Sequence, residues 1–183
     1  MLTASQLRQV AARSGARDIG NVEIDVILTD LLQLFSEKGL TEHLAFKGGT
    51  MLRKMVFGPR GRLSTDLDFT SRTAIEADGC AANPVCAHAE NEKGVKIKLQ
   101  VSTREAPILP VVAMPQIEQD YFRLLAFAPA AIPCLAFEEV VAEKIRAASQ
   151  RSKIRDLHDL SEVAGRPLNR ELIRSLAVLK LWN

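Results

Sequence analysis

The chain is short of cysteine, and what it has is unpatterned. Cys80, Cys86 and Cys134 are odd in number and follow no paired spacing, so no disulfide framework is expected. Cys80, Cys86 and His88 also lack the fourth ligand and close spacing of a structural metal cluster. Long apolar runs are missing too. The most apolar late stretch, Leu124 to Phe137, is broken by Pro129 and Pro133 and falls short of the ~20 residues that cross a bilayer. The first residues do not show the basic, then apolar, then small-residue order of a signal peptide. Nor is there an excess of one charge: 24 basic residues against 22 acidic ones give +2, which by itself demands no nucleic-acid partner. These absences predict a cytoplasmic protein with no membrane partner. At 183 residues, 47% of them hydrophobic, the chain can bury a real core.

What is present centres on Lys47-Gly48-Gly49-Thr50-Met51-Leu52-Arg53-Lys54 and, shortly after it, Ser64-Thr65-Asp66-Leu67-Asp68-Phe69. The apolar run Leu44-Ala45-Phe46 before the glycines reads as a strand, a two-glycine turn and a helix opening near Thr50. Glycines let the main chain approach an anion, and the free N–H groups at a helix start can hold it. In Asp66-Leu67-Asp68-Phe69 the side chains alternate, which puts both carboxylates on one face and Leu67 and Phe69 in the core. Paired carboxylates repel unless a cation joins them, and Mg²⁺ suits oxygen ligands that share it with substrate phosphates. Each half alone is commonplace, as a turn and as a solvated strand face. Together they compose a nucleotidyl-transfer site.

Around this centre, Thr3 and Gln6 form a capping box for a helix through Leu7, Val10 and Ala11 that stops at Gly15. Asn21 is the expected cap of a second helix, with apolar positions from Ile24 to Phe35 and an end at Gly39. The helix after Thr50 is expected to turn Leu52, Met55 and Val56 inward and to leave Arg53 and Lys54 more exposed. The loop Gly58-Pro59-Arg60-Gly61-Arg62 then returns the chain to the acids. Residues 76–93 read as loop or irregular insertion. Val95, Ile97, Leu99 and Val101 alternate with polar residues as a half-buried strand. Val111, Val112 and Ala113 read as a further short strand, and residues 116–127 as helix or strand with no decision between them. A helix opens at Phe137 with Glu138 and Glu139 in its first turn. Lys144 on that helix reads, by itself, as solvent-facing. Arg151, Lys153 and Arg155 follow as a basic group. In Arg155-Asp156-Leu157-His158-Asp159-Leu160, the leucines read as the buried face, Asp156 and Asp159 share another, and His158 reads as a surface or structural residue. Residues 168–182 predict a closing helix.

Four stretches in this order resemble the AbiEii/AbiGii family of nucleotidyltransferase-like toxins, which includes the MenT toxins of mycobacteria. They are Phe46-Lys47-Gly48-Gly49-Thr50-x-Leu52-Arg53, Arg62-x-Ser64-x-Asp66-Leu67-Asp68-Phe69, Glu138-Glu139-x-x-Ala142-Glu143-Lys144-x-x-Ala147, and Arg155-Asp156-Leu157-x-Asp159-Leu160. The resemblance implies an α+β fold: a polymerase-β-like nucleotidyltransferase core with a mixed sheet flanked by helices, over residues 1–115, and a helical C-terminal part over 116–183. It implies a Mg²⁺-dependent enzyme that moves NMP from an NTP to RNA, with the 3′ end of tRNA as acceptor, and an antitoxin partner. Asp66 and Asp68 would hold the metal, with Lys144 and Asp159 as further catalytic groups and Asp156 as the alternative acid. Lys47, Gly48, Gly49, Thr50, Arg53 and Ser64 would bind nucleotide phosphates. Ser64 also stands where mycobacterial relatives are phosphorylated, and added negative charge there should impair phosphate and metal binding. Polymerase-β-like transferases take a third carboxylate from a neighbouring strand. The best-placed residue here is Gln100, which carries no charge. Two other readings stay open: a transferase acting on a small molecule, as aminoglycoside-modifying enzymes do, and a non-catalytic binding protein.

Overall fold

The computed structural model describes residues 2–14, 18–72, 85–90 and 94–182. Thr3 starts helix α1 (Ala4–Ser14) through the expected capping box, its N–H donating to Gln6 Oε1 at 2.8 Å while the Gln6 N–H donates to Thr3 Oγ1 at 3.3 Å. Leu7, Val10 and Ala11 then pack on Val22 and Val26 of α2 (Ile19–Glu37) and on Tyr121. The cap of α2 is Asp18 and not Asn21. Asp18 has extended backbone and its carboxylate accepts from the Gly20 N–H at 2.9 Å, so the helix begins before Asn21 is reached. Gly39, at φ +71°, takes the left-handed conformation that ends α2. The expected stop of α1 at Gly15 lies outside the described residues.

Six strands follow: β1 (Leu44–Lys47), β2 (Asp66–Ser71), β3 (Val85–Glu90), β4 (Lys96–Ser102), β5 (Val112–Met114) and β6 (Ile132–Cys134). They form one sheet in the order β3-β4-β2-β1-β6-β5. The pairing is mixed, with β1–β2 and β3–β4 antiparallel, β2–β4 and β1–β6 parallel. Alternation places Phe46, Leu67, Phe69 and Ile97 in the core, where the Phe46 and Phe69 rings lie 5.1 Å apart. Strand β3 corrects the expectation of irregular structure across residues 76–93. Its composition gives little strand signal, and the hydrogen-bonding edge of β4 supplies the order instead. Residues 76–84 and 91–93 lie outside the described residues. Residues 116–127 contain neither strand nor α-helix, only a 3₁₀ turn at Phe122–Leu124.

The chain forms two compact units, Met1–Pro107 with Ala113–Cys134, and Ile108–Val112 with Leu135–Asn183. The first holds α1, α2 and nearly all of the sheet. The second is built of α4 (Phe137–Gln150), α5 (Ile154–Ala164) and α6 (Arg170–Trp182). It is clasped by Glu139, a fully buried residue whose carboxylate accepts from the Leu109 N–H at 2.9 Å and meets Lys180 Nζ at 3.0 Å. Among the described residues no helix is long and apolar enough to cross a membrane.

Candidate active site

Strand β1 ends in extended backbone at Lys47, and the chain turns at Gly48 with φ +81° into the short helix α3 (Gly48–Met51), which continues as a π-helix over Leu52–Phe57. Two conditions require glycine at 48. The backbone conformation is one that L side chains rarely adopt, and a β-carbon would stand 2.9 Å from Asp68 Cβ and overlap its carboxylate. At Gly49 a β-carbon would press on the Arg62 guanidinium, 3.2 Å from its Cζ, and lie 3.4 Å from Ser64 Oγ. The diglycine corner therefore draws in Asp68, Arg62 and Ser64, groups that lie over ten positions further along the chain.

Asp66 and Asp68 are half-buried on one face of β2, while Leu67 and Phe69, 0% and 1% exposed, face the core. Lys47 is the Cα partner of Asp68 across the β1–β2 ladder, so it belongs to the same neighbourhood. Thr50 has a different place. It is fully buried and its hydroxyl donates to the Asp66 carbonyl oxygen, tying the start of the helix to the strand that carries the acids. The donor set fits one oxygen-loving divalent cation: two carboxylates on one face, one of them packed against the Gly48 main chain. No group of three or more His, Cys, Asp or Glu able to hold a metal occurs among the described residues.

Arg53 and Lys54 correct the expectation of exposure, being 7% and 1% exposed. The wider π-turn directs both inward. Arg53 donates to the Gly58 and Gly61 carbonyls, the latter at 3.0 Å, and to Gln119 Oε1 at 3.2 Å, so it shapes the loop that presents Arg62. Lys54 Nζ is held by Asp25 Oδ1 at 3.1 Å and Thr29 Oγ1 at 2.8 Å, and the Tyr121 hydroxyl donates to Asp25 Oδ2 at 2.9 Å. Burial pushes the Lys54 pKa down, against the pull of Asp25, and pushes that of Tyr121 up. α2 thus contributes a buried acid beneath the glycine helix, which its apolar periodicity did not announce.

The second unit has its own charge cluster. Lys144 is 8% exposed, not solvent-facing, with Nζ 2.8 Å from Asp159 Oδ2 and 3.2 Å from Asp156 Oδ1. Arg151 Nε meets Asp156 Oδ2 at 2.9 Å. Burial raises the Asp156 pKa, but the Arg151 hydrogen bond and the Lys144 charge outweigh it and hold the carboxyl below its ordinary value. The burial of α5 differs from the one its leucines suggested: Asp156 and Asp159 are buried and Leu157 is 55% exposed, while Leu160 is half-buried. The two acids are tolerated inside because Lys144 lies between them as their shared counter-charge. His158 is exposed, as expected.

The sequence matches the family model described as nucleotidyl transferase AbiEii toxin, type IV toxin–antitoxin system, over residues 30–85 and 79–182. No curated protein matches it. Among solved structures it is similar to MenT4, a nucleotidyltransferase toxin from Mycobacterium tuberculosis H37Rv, at 26% identity and a TM-score of 0.83, covering 100% of this chain and 71% of that one. The mixed sheet with its flanking helices is the fold of that toxin. With the glycine corner and the acid pair inside the matched region, the chain belongs to the AbiEii family of nucleotidyltransferase toxins.

Proposed function

We propose that the protein transfers a nucleoside monophosphate from an NTP to the 3′ end of tRNA and so blocks translation. The observation that carries the reading is the packing of Gly48 directly against the Asp68 carboxylate, which gives phosphate cradle and metal ligand a common wall. Backbone N–H groups at Gly48, Gly49 and Thr50 hold the β- and γ-phosphates at the start of the helix. Lys47 and Arg62 add positive charge beside them, Arg62 as a planar fork matched to phosphate oxygens. Ser64, next to Gly49, offers a hydroxyl to the same phosphates. Arg53 serves the site indirectly, by holding the loop that carries Arg62.

Asp66 and Asp68 would hold Mg²⁺, which would supply the charge that polarises the α-phosphate. The terminal hydroxyl of the acceptor attacks the α-phosphorus in line and releases its proton to solvent, an O–P bond forms as the bond to the β-phosphate oxygen breaks, and pyrophosphate leaves. Lys144 neutralises charge that builds on the phosphates. Asp159, at 2.8 Å from its Nζ, orients that ammonium, and Asp156 fixes it from a second side. The chain acts mainly through position and electrostatics. A cognate antitoxin is the protein partner that family membership implies.

The test is incubation with each α-labelled NTP, Mg²⁺ and total tRNA, in parallel with small hydroxylated acceptors. Label on full-length tRNA supports the reading. Label on the small acceptors alone, or on nothing with any nucleotide, overturns tRNA as the acceptor.

A further inference from the structure

The two strands beside β2 carry an unusual charge pattern across the acid pair. β4 runs parallel to β2 with Asp66 opposite Lys98 and Asp68 opposite Gln100, and across β1–β2 Asp68 is opposite Lys47. Neighbouring strands lie about 4.8 Å apart and register partners share a face, so these side chains stand in two short rows: Lys47, Asp68, Gln100 and Asp66, Lys98. The pattern agrees with burial, because Leu67 and Phe69, between and beyond the acids, are both in the core. Gln100 thus occupies the place next to Asp68 from which a third carboxylate would reach a shared metal. It supplies an oxygen and no charge. Lys98 shares the face of Asp66 as its register partner, so the formal charges of Asp66, Asp68, Lys47 and Lys98 on this face cancel.

Resting on the proposed nucleotidyl transfer, we infer that this face takes up its divalent cation only together with the nucleotide, as a single ion, and that Gln100 and Lys98 are the residues that set this order. A free divalent ion gains from ligand charge, and here two carboxylates are offset by two ammonium groups. A triphosphate entering over Gly48 and Gly49 brings several negative charges to the same face. It makes the cation welcome, and it supplies the remaining oxygen ligands.

Retention of Mn²⁺ by the full-length protein on ultrafiltration tests this without reading activity. Wild type, Gln100→Asp, Gln100→Glu, Lys98→Ala and Asp68→Asn are each measured alone and with an α,β-methylene NTP. Wild type is expected to retain little Mn²⁺ alone and one ion per chain with the analogue. The Gln100 variants and Lys98→Ala are each expected to retain the free ion at least about tenfold more tightly than wild type, following ligand charge. Lys98→Ala, which truncates a half-buried side chain on β4 and adds no charge, keeps the question open to test where a carboxylate at 100 upsets folding. Wild type binding free Mn²⁺ as tightly as these variants, or holding two ions with the analogue, overturns the inference. If Asp68→Asn retains Mn²⁺ with the analogue as well as wild type does, the acid pair is not the metal site, and both this inference and the reading beneath it fall.

Discussion

Gly48 and Asp68 touch: the main chain at the turn into α3 lies so close to the carboxylate that a β-carbon there would stand 2.9 Å from Asp68 Cβ. Residues twenty positions apart thereby form one corner, where the glycine turn meets the strand that carries the acid pair.

Gly48→Ala is expected to separate folding from function. The left-handed backbone at φ +81° costs an L-residue about 1–2 kcal/mol, which lowers Tm by several degrees in a protein of this size. Displacement of Asp68 by the new methyl costs more in the reaction, about 100-fold in kcat/KM on the scale of a 1 Å misplacement. Thermal unfolding and steady-state kinetics on the same preparation check this, and a variant that loses Tm but keeps its rate contradicts it.

Asp156 and Asp159 both hold Lys144, yet they should behave differently. Asp156 is fully buried with two cations, so Asp156→Asn leaves Lys144 and Arg151 short of a counter-charge and costs about 3 kcal/mol at pH 7, the low end for a broken buried pair. The carboxyl is depressed below its ordinary value, so its stabilising effect is complete above ~3.9 and is lost as pH falls through the folded value. Urea midpoints of wild type and variant should therefore converge as the pH falls below the ordinary carboxylate value of ~3.9. A gap that stays constant with pH would show that the carboxylate charge is not the source.

Asp159→Asn keeps the Asp156–Lys144 pair, and the effect expected is on catalysis. Losing the 2.8 Å partner of Lys144 should lower kcat more than it raises KM, while the urea midpoint moves less than for Asp156→Asn. Equal loss of stability in both variants, with kcat unchanged in Asp159→Asn, would assign Asp159 a structural role only.

Lys54→Met leaves Asp25 in the core beneath the glycine helix with Arg53, at 3.8 Å, as its remaining cation, at an expected cost of about 3 kcal/mol. Asp25→Asn combined with Lys54→Met should recover more than half of that loss, because the penalty comes from a buried charge that has lost its nearest partner. Chemical denaturation of both single variants and the double variant measures the coupling, and additive losses would contradict it.

What could be read from the sequence was governed by how local its causes are. The Thr3–Gln6 box, the alternation in Asp66–Phe69 and the strand from Lys96 depend on spacings of a few residues, and all three are found. The buried charges depend on partners far away in the chain. Lys54 is inside because Asp25 waits on α2, Glu139 because Lys180 reaches it from α6, and Asp156 because Lys144 and Arg151 meet it. Taken singly, each of these residues has the composition of surface. Polarity thus misled the reading of α5, where Leu157 was assigned to the buried face and is 55% exposed. The charge pattern of Lys98 and Gln100 against the acids became visible only with the strand register.

The most direct measurement is transfer of α-phosphate label from NTP to total tRNA by wild type and by Asp68→Asn, with the fold of each verified by thermal unfolding. Catalysis at the Gly48–Asp68 corner predicts labelled tRNA with wild type and at least about a 100-fold lower rate with a folded Asp68→Asn. Undiminished labelling by that variant would place the chemistry elsewhere in the protein.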